Sequence, residues 1–439
     1  MAEPAAGSMI LSENKILRIF SFFLFYLGQG LPLGVSQVAL PAWLVMNGAE
    51  ESAVAAIIAT AFLPWSFKFI PAALMDRYAY LAMGRRRLWL ICAQMLMVIG
   101  FAIAAIVAPG PDNLEVILSI VILIGTGSAI QDVAVDGMAV DILSDEEQGT
   151  ASAFMFGGQT VGRALSGAIA GFSLQHYGSA TTFWIFLPII LLITLYVVVI
   201  RERPGEKRFP WSEGAASPVN LERHVGAWWP MARAAFKSLI KFDSLKLVTG
   251  SVAARMGSGM FSPMWPIIGG IGFVGFTTAG YSSMVSSVDL VMAVVSIGVG
   301  SFLTLRLGAR VASSLVYSTY FLLAIFVLYG QAYWSAMTPF IIMSCVWSMH
   351  DTLTSICTNP LRMQLSDPTV AATQFTIYNS LSNLPVTFGA TLFAVLGGTK
   401  ELGTVMWTSG GLMLLGALIF STLKAGSRHE AAEPVPEFN

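Results

Sequence analysis

Charge is scarce in this chain: Asp, Glu, Lys and Arg make up 11% of its 439 residues, against about a quarter in a soluble globular domain. Most of the molecule therefore has no water-facing surface of the ordinary kind. With 55% hydrophobic residues and a mean hydropathy of +0.71, it reads as an integral membrane protein. An excess of either sign is also missing, since Lys+Arg 24 against Asp+Glu 25 leaves a net charge of -1, and nothing in that balance points to nucleic acid. Cysteine is rare. Cys92, Cys345 and Cys357 stand in apolar runs without paired spacing, which argues against a disulfide framework or a zinc site. There is no Gly-x-x-x-x-Gly-Lys-Ser/Thr phosphate loop and no cluster of metal ligands, and no nucleophile and base stand out as a pair. No ATP hydrolysis, metal, cofactor or enzymatic activity is expected. Residues 1–14 are too polar and too short for a cleaved signal, so the first span is expected to insert and stay.

What the chain does have is long apolar runs, and about 20 residues suffice for a helix to cross a bilayer. Twelve are found, near 16–46, 52–75, 88–108, 115–140, 150–174 and 181–200, then 245–270, 279–303, 311–331, 337–361, 372–397 and 402–423. Between the sets lies a polar segment, 201–243, broken by Pro204, Pro210 and Pro218. An all-α membrane protein of two six-helix bundles is expected, bounded at 1–200 and 244–424, with a tail at 425–439. Lys and Arg mark the cytoplasmic side. Lys15, Arg18, Arg77, Arg85, Arg86, Arg87, the bases between Arg201 and Lys246, Arg306, Arg310, Arg362, Lys424 and Arg428 fall on one side, and Lys400 on the other. Both termini are thus expected in the cytoplasm. Within the linker, Arg233, Lys237 and Lys241 oppose Trp229, Ala232, Phe236 and Ile240, the pattern of an amphipathic helix on the inner leaflet.

The two halves echo one another. Gln131-Asp132 matches His350-Asp351, Leu143-Ser144-Asp145 matches Leu365-Ser366-Asp367, and 151–154 matches 372–375, all at offsets of about 220 residues. Three matches in one order suggest a transporter built from parallel repeats.

Charges inside the spans carry the functional reading, because a carboxylate in hydrocarbon costs roughly 2.5–3.5 kcal/mol and needs a partner. Gly125, Ser128, Asp132 and Asp136 share one face of helix four, and Gln159 and Arg163 stand on helix five. Asp132 should lie about 12 Å below the inner surface, where Arg163 can reach it or a substrate anion. A carboxylate whose cation can leave is a proton-coupling element; the alternative is a static ion pair. Gly158, Gly162, Ser166 and Ala170 on helix five form a small-residue face for close helix approach. Helix ten offers His350 and Asp351, helix eleven Asn379 and Asn383, helix seven Arg255. Lys68 and Asp289 are lone charges in helices two and eight.

Asp76-Arg77 followed by Gly84-Arg85-Arg86-Arg87 resembles the loop signature of the major facilitator superfamily. A partial copy at Gly300, Arg306, Gly308 and Arg310 has Leu305 in place of the acid. Gly30-Leu31-Pro32, Phe67-Lys68-Phe69, Met75 to Tyr78, Gln131-Asp132 through Asp136 to Asp141, Ala372 to Phe375 and Ser380 to Asn383 are similar to the AmpG muropeptide permease and acetyl-coenzyme A transporter branch. Two departures stand out: Arg255 is followed by Met256-Gly257-Ser258 with no acid, and Gly137-Met138 replaces a small residue, a Trp and a Lys. The resemblance implies helices one, four, seven and ten around a central cavity, hence Asp132, Arg255 and Asp351 facing one space. It also implies Asp76, Arg77, Arg85 and Arg86 as a cytoplasmic gate latch between the halves.

The resulting expectation is a proton-coupled importer, a monomer in the bacterial inner membrane, working by alternating access on an anionic, muropeptide-like solute. Its candidate residues are Gln131, Asp132, Asp136, Gln159, Arg163, Arg255, His350, Asp351, Asn379 and Asn383. Siderophores and acyl-coenzyme A compounds are the alternative cargo. A membrane assembly or sensor protein that moves nothing is the alternative of another class.

Overall fold

The computed structural model describes residues 9–222, 233, 236–270, 273–366 and 371–423. It is all-helical, and eight helices are long and apolar enough to cross a membrane. Two of these are double. Gly178 (φ 79°) breaks Asp145–Val199 and Gly308 (φ 77°) breaks Thr278–Tyr329, each supplying the left-handed conformation that lets an apolar rod turn back sharply. Separating the arms and adding two less apolar helices gives twelve passes. These are α1 (Lys15–Met46), α2 (Glu51–Arg77), α3 (Arg87–Val107), α4 (Leu114–Ile142), α5 (145–177) and α6 (179–199) in one half. The other half holds α7 (Phe242–Phe261, continued as Met264–Gly269), α8 (278–307), α9 (309–329), α10 (Met337–Gln364), α11 (Ala371–Val395) and α12 (Leu402–Ser421). The expected helix bounds hold to within a few residues.

Lipid supplies no hydrophobic drive between helices, so close packing needs small residues. A Cβ at Gly162 would lie 2.3 Å from the Leu27 carbonyl oxygen, and one at Gly158 the same distance from that of Phe23, so the small-residue face of α5 is what seats α1. The opposite edge of α5 meets the other half, with Gly167 against Ser286 and Gly171 against Ser282 of α8. Helices α2 and α11 make the matching contact, where the Thr387 hydroxyl donates to the Ala59 carbonyl at 3.0 Å. Helices two and eight, and five and eleven, are equivalent in the repeat, so the halves meet through one contact used twice.

Proline shapes α1 and α2 where the cavity forms. Pro32 in α1 precedes a π-helical stretch, Val35–Ala39, and Pro64 in α2 precedes a break at Phe67 that leaves Lys68 at the start of the second segment, the usual result of a missing backbone donor.

The described hydrogen bonds and close contacts between halves run from mid-height to the side opposite the basic loops. There Glu51 binds the backbone N–H (2.7 Å) and hydroxyl of Thr399, Gln175 accepts from Ala279 N, and Gly270 abuts Val45. A continuous apolar core crosses the halves on that side. On the basic side the N-terminal half has a separate core around Phe22, Phe25, Met75, Leu90 and Met138.

The linker departs from a free polar segment. Arg201 bridges Ile10, the Glu202 carboxylate accepts the backbone N–H groups of Arg85, Arg86 and Arg87 at 2.5–2.8 Å, and the Arg87 guanidinium donates to the carbonyls of Val198, Lys207 and Arg208. Residues 201–222 are therefore part of the N-terminal half. Of the expected amphipathic helix, Trp229 and Ala232 lie outside the described residues, as does the tail; Phe236 to Leu239 are helical.

Candidate functional site

A cavity of about 260 Å³ lies between the halves, walled by α1, α2, α5, α7, α8, α10 and α11. Two ion pairs cross it. Arg163 of α5 meets Asp289 of α8 at 3.3 Å, joining the halves, and Arg255 of α7 meets Asp351 of α10 at 3.2 Å. Gln159 and Asn383 add neutral polar groups, and Trp65, Trp265 and Trp347 add broad apolar faces. Trp347 is fixed by Phe261 stacked at 5.4 Å. A half-apolar hollow with a few convergent charges has the character of a small-molecule site.

Helix α4 contributes nothing to this wall, contrary to the expected arrangement. Asp132 is instead covered by α2: Lys68 Nζ lies 2.9 Å from Asp132 Oδ2, and Gln29 Nε2 donates to Oδ1 at 2.7 Å. The expected Arg163–Asp132 pairing is thereby replaced, because the break at Phe67 swings Lys68 toward α4 while Arg163 faces Asp289. Asp136 accepts from the Tyr26 hydroxyl, which is also 3.5 Å from Asp132. Asp132 and Asp136 thus form a second polar centre apart from the cavity, while Arg255 and Asp351 line the cavity itself.

Three expected site residues face elsewhere. Gln131 is fully buried within the N-terminal half, donating to the Phe25 carbonyl at 2.5 Å and accepting from Gln94 at 2.7 Å. His350 is held by Thr319 at 2.6 Å and the Val346 carbonyl at 2.7 Å, its ring against Tyr320; both side chains serve packing. Asn379 accepts from Arg362 at 2.6 Å.

Arg362, counted among surface bases in the sequence, is buried. Its guanidinium binds only neutral oxygens, those of Asn359, Asn379 and Ser382, and among the described residues no carboxylate pairs with it. Ser382 ties it to the cavity wall, since its carbonyl accepts from Arg255 at 3.4 Å. Tyr26, Gln29 and Arg362 carried no signal in the sequence: polar residues near span ends or on helix one are common, and only the fold aims these three.

The loop after α2 binds its own half. Asp76 pairs with Arg86 at 2.6 Å, Arg86 with Asp141 at 3.3 Å and Arg85 with Asp141 at 4.0 Å, while Arg77 lies over Tyr78. The contacts described join α2, α3, α4 and the linker within the N-terminal half, where a latch between the halves was expected. Burial holds Glu202 above the ordinary carboxylate range despite its three N–H donors. Burial, and then the charge of Glu202, push Glu206 up to about 7.

A family model described as the Major Facilitator Superfamily matches residues 19–390. The anhydromuropeptide permease of Escherichia coli (strain K12) is 32% identical over 166 residues, 36% of this chain and 33% of that protein. The putative transporter AmpG 4 of Rickettsia conorii is 29% identical over 198 residues, 43% of this chain and 46% of that protein. The chain thus spans a third to a half of the length of these curated relatives. Among solved structures, a peptide transporter POT in complex with sulfate superposes with TM-score 0.67 at 13% identity, over 93% of this chain and 96% of that one. The nucleoside transporter NupG gives 0.68 at 12% identity, over 92% and 98%. At such identities the likeness is one of fold.

Proposed function

Because the chain belongs to the Major Facilitator Superfamily, we propose that it is a secondary active transporter importing an anionic, muropeptide-like solute together with protons. The observation that carries this reading is the cavity between the halves with a cross-half ion pair, Arg163–Asp289, in its wall. Solute that competes for either charge loosens that contact and favours rocking, since a ligand shifts a two-state equilibrium only through differential binding. Arg255, and Arg362 behind the wall without a carboxylate, favour carboxylate or phosphate on the cargo, which an Arg can hold in bidentate fashion. Three tryptophans offer faces for the apolar side of a sugar ring. Such a cargo agrees with the anhydromuropeptide named for the Escherichia coli relative.

Under this reading the basic side is cytoplasmic and both termini lie there, with bundles at 1–200 and 244–424, a linker at 201–243 whose residues 201–222 dock on the first bundle, and a tail at 425–439. Proton coupling is assigned to the polar centre of α4, where an acid, a tyrosine and a lysine meet. Uptake of radiolabelled anhydromuropeptide into proteoliposomes tests both parts. Accumulation that rises with an inward proton gradient is expected; accumulation indifferent to the gradient removes the coupling, and absence of uptake removes the cargo class.

A further inference from the structure

Helix α4 offers two carboxylates to one cation. Asp132 and Asp136 stand one turn apart, and Lys68 and Gln29 both serve Asp132. The hydrogen bond described for Asp136 is the one from Tyr26. Other charges face the site from neighbouring elements. Arg86 packs on Gly137, yet is held by Asp76 and Asp141. Arg362 of α10 lies near enough to repel Lys68, yet is bound by Asn359, Asn379 and Ser382. Neither pairs with Asp136 among the described contacts.

A tyrosine hydroxyl carries one hydrogen, whereas Tyr26 makes oxygen–oxygen contacts with two carboxylates. With both acids ionised, one contact would set lone pair against lone pair, and the site would hold an excess negative charge beside hydrocarbon. One proton resolves both problems. Asp136 then donates to the Tyr26 oxygen, Tyr26 donates to Asp132, and Asp132 stays ionised against Lys68. Asp132 is 5% exposed whereas Asp136 is exposed, so Asp136 is the outer end of the chain of acid, tyrosine and acid.

We propose that Asp136, bridged by Tyr26 to the Lys68–Asp132 pair, binds the exchangeable proton of this protein, and that Asp132 is its permanently ionised partner. The inference rests on the proton-coupled reading above and moves the proton from Asp132, the carrier suggested by sequence, to its neighbour. On release the proton passes from the Asp136 carboxyl to water, Tyr26 keeps its hydrogen, and the site changes from neutral to a single negative charge.

Infrared difference spectroscopy of the full-length protein in lipid, titrated through the neutral range without substrate, tests this independently of transport, with every protein, the wild type included, carrying Glu206→Gln to remove the linker acid held at about 7. Wild type should show one titrating carboxyl C=O band, lost in Asp136→Asn. Asp136→Glu should move the band in frequency and Asp132→Glu should leave it in place. Lys68→Met, which strands a second acid without its cation, should double the band amplitude. Tyr26→Phe should shift the midpoint by about one unit. A wild type with no titrating band, or a band that survives Asp136→Asn, overturns the assignment. A band assigned to Asp136 beside gradient-indifferent uptake instead overturns the coupling reading, so the two failures are separable.

Discussion

Asp351 and Arg255 show what a single residue can be asked to do. Asp351 has 43% of its side chain exposed to the cavity, while Arg255 has 13%, so the acid is the half of the pair a solute meets first. Arg255→Ala removes the cation proposed to hold the anionic cargo and leaves Asp351 facing that cargo unpaired, and losing such a charge-assisted contact costs about 2 kcal/mol or more, a thirtyfold loss of apparent affinity. The expected outcome is a raised KM for uptake with the protein still folded by thermal shift. The charges themselves were legible in the sequence because Asp132, Arg163, Arg255 and Asp351 interrupt apolar runs. Their partners were not. Lys68 is 64 residues from Asp132, and hydropathy holds no information on which helices meet; Arg255 and Asp351, 96 apart, were expected to face one space only through the family resemblance. Arg362 was misread for a related reason: it lies two residues from the end of α10, where a base ordinarily reaches water, but α11 folds Asn379 and Ser382 over it.

At the scale of elements, the packing of α5 on α1 gives a contrast within one helix. Gly162→Ala drives a methyl onto the Leu27 backbone, which cannot yield, whereas a Cβ at Gly157 meets nothing within 4 Å. The first should lower the melting temperature, with overpacking costing about 1–3 kcal/mol. The second should hold or raise it, because alanine is the better helix former by about 1 kcal/mol. Here the sequence was informative, since the spacing of Gly158, Gly162, Ser166 and Ala170 described a close contact before its partner was known.

The linker was less legible, because its prolines and charges read as solvated while two of its carboxylates, Glu202 and Glu206, are buried. Glu206 is held at about 7, first by burial and then by Glu202. The docked segment therefore keeps a proton that the undocked chain releases near 4.5. Its contribution to docking is complete below that value and lost as pH rises to about 7, about 3 kcal/mol in all. Protease nicking of residues 201–222 should quicken as pH passes through this window, and Glu206→Gln should abolish that dependence.

For the whole molecule, twelve helices in two halves followed from hydropathy and the repeat, but the state of the structure did not, because two packings of one sequence share every span. Contacts across the halves decide it. Removing the Glu51 carboxylate frees Thr399 on the closed side, and losing a half-buried charged acceptor is worth about 1 kcal/mol, a factor of about five in the balance of states. In a background without Cys92, Cys345 and Cys357, Ser262→Cys in the cavity wall should then react faster with a charged thiol reagent added from that side when Glu51 is replaced by Ala.

Glu51 and Thr399 come from different halves and touch in the present state. A conformation-specific antibody fragment whose footprint straddles both loops would find its epitope intact here and torn apart after rocking. Such a binder should arrest turnover as a staple would, without entering the cavity, and its off-rate would report how often the molecule changes face.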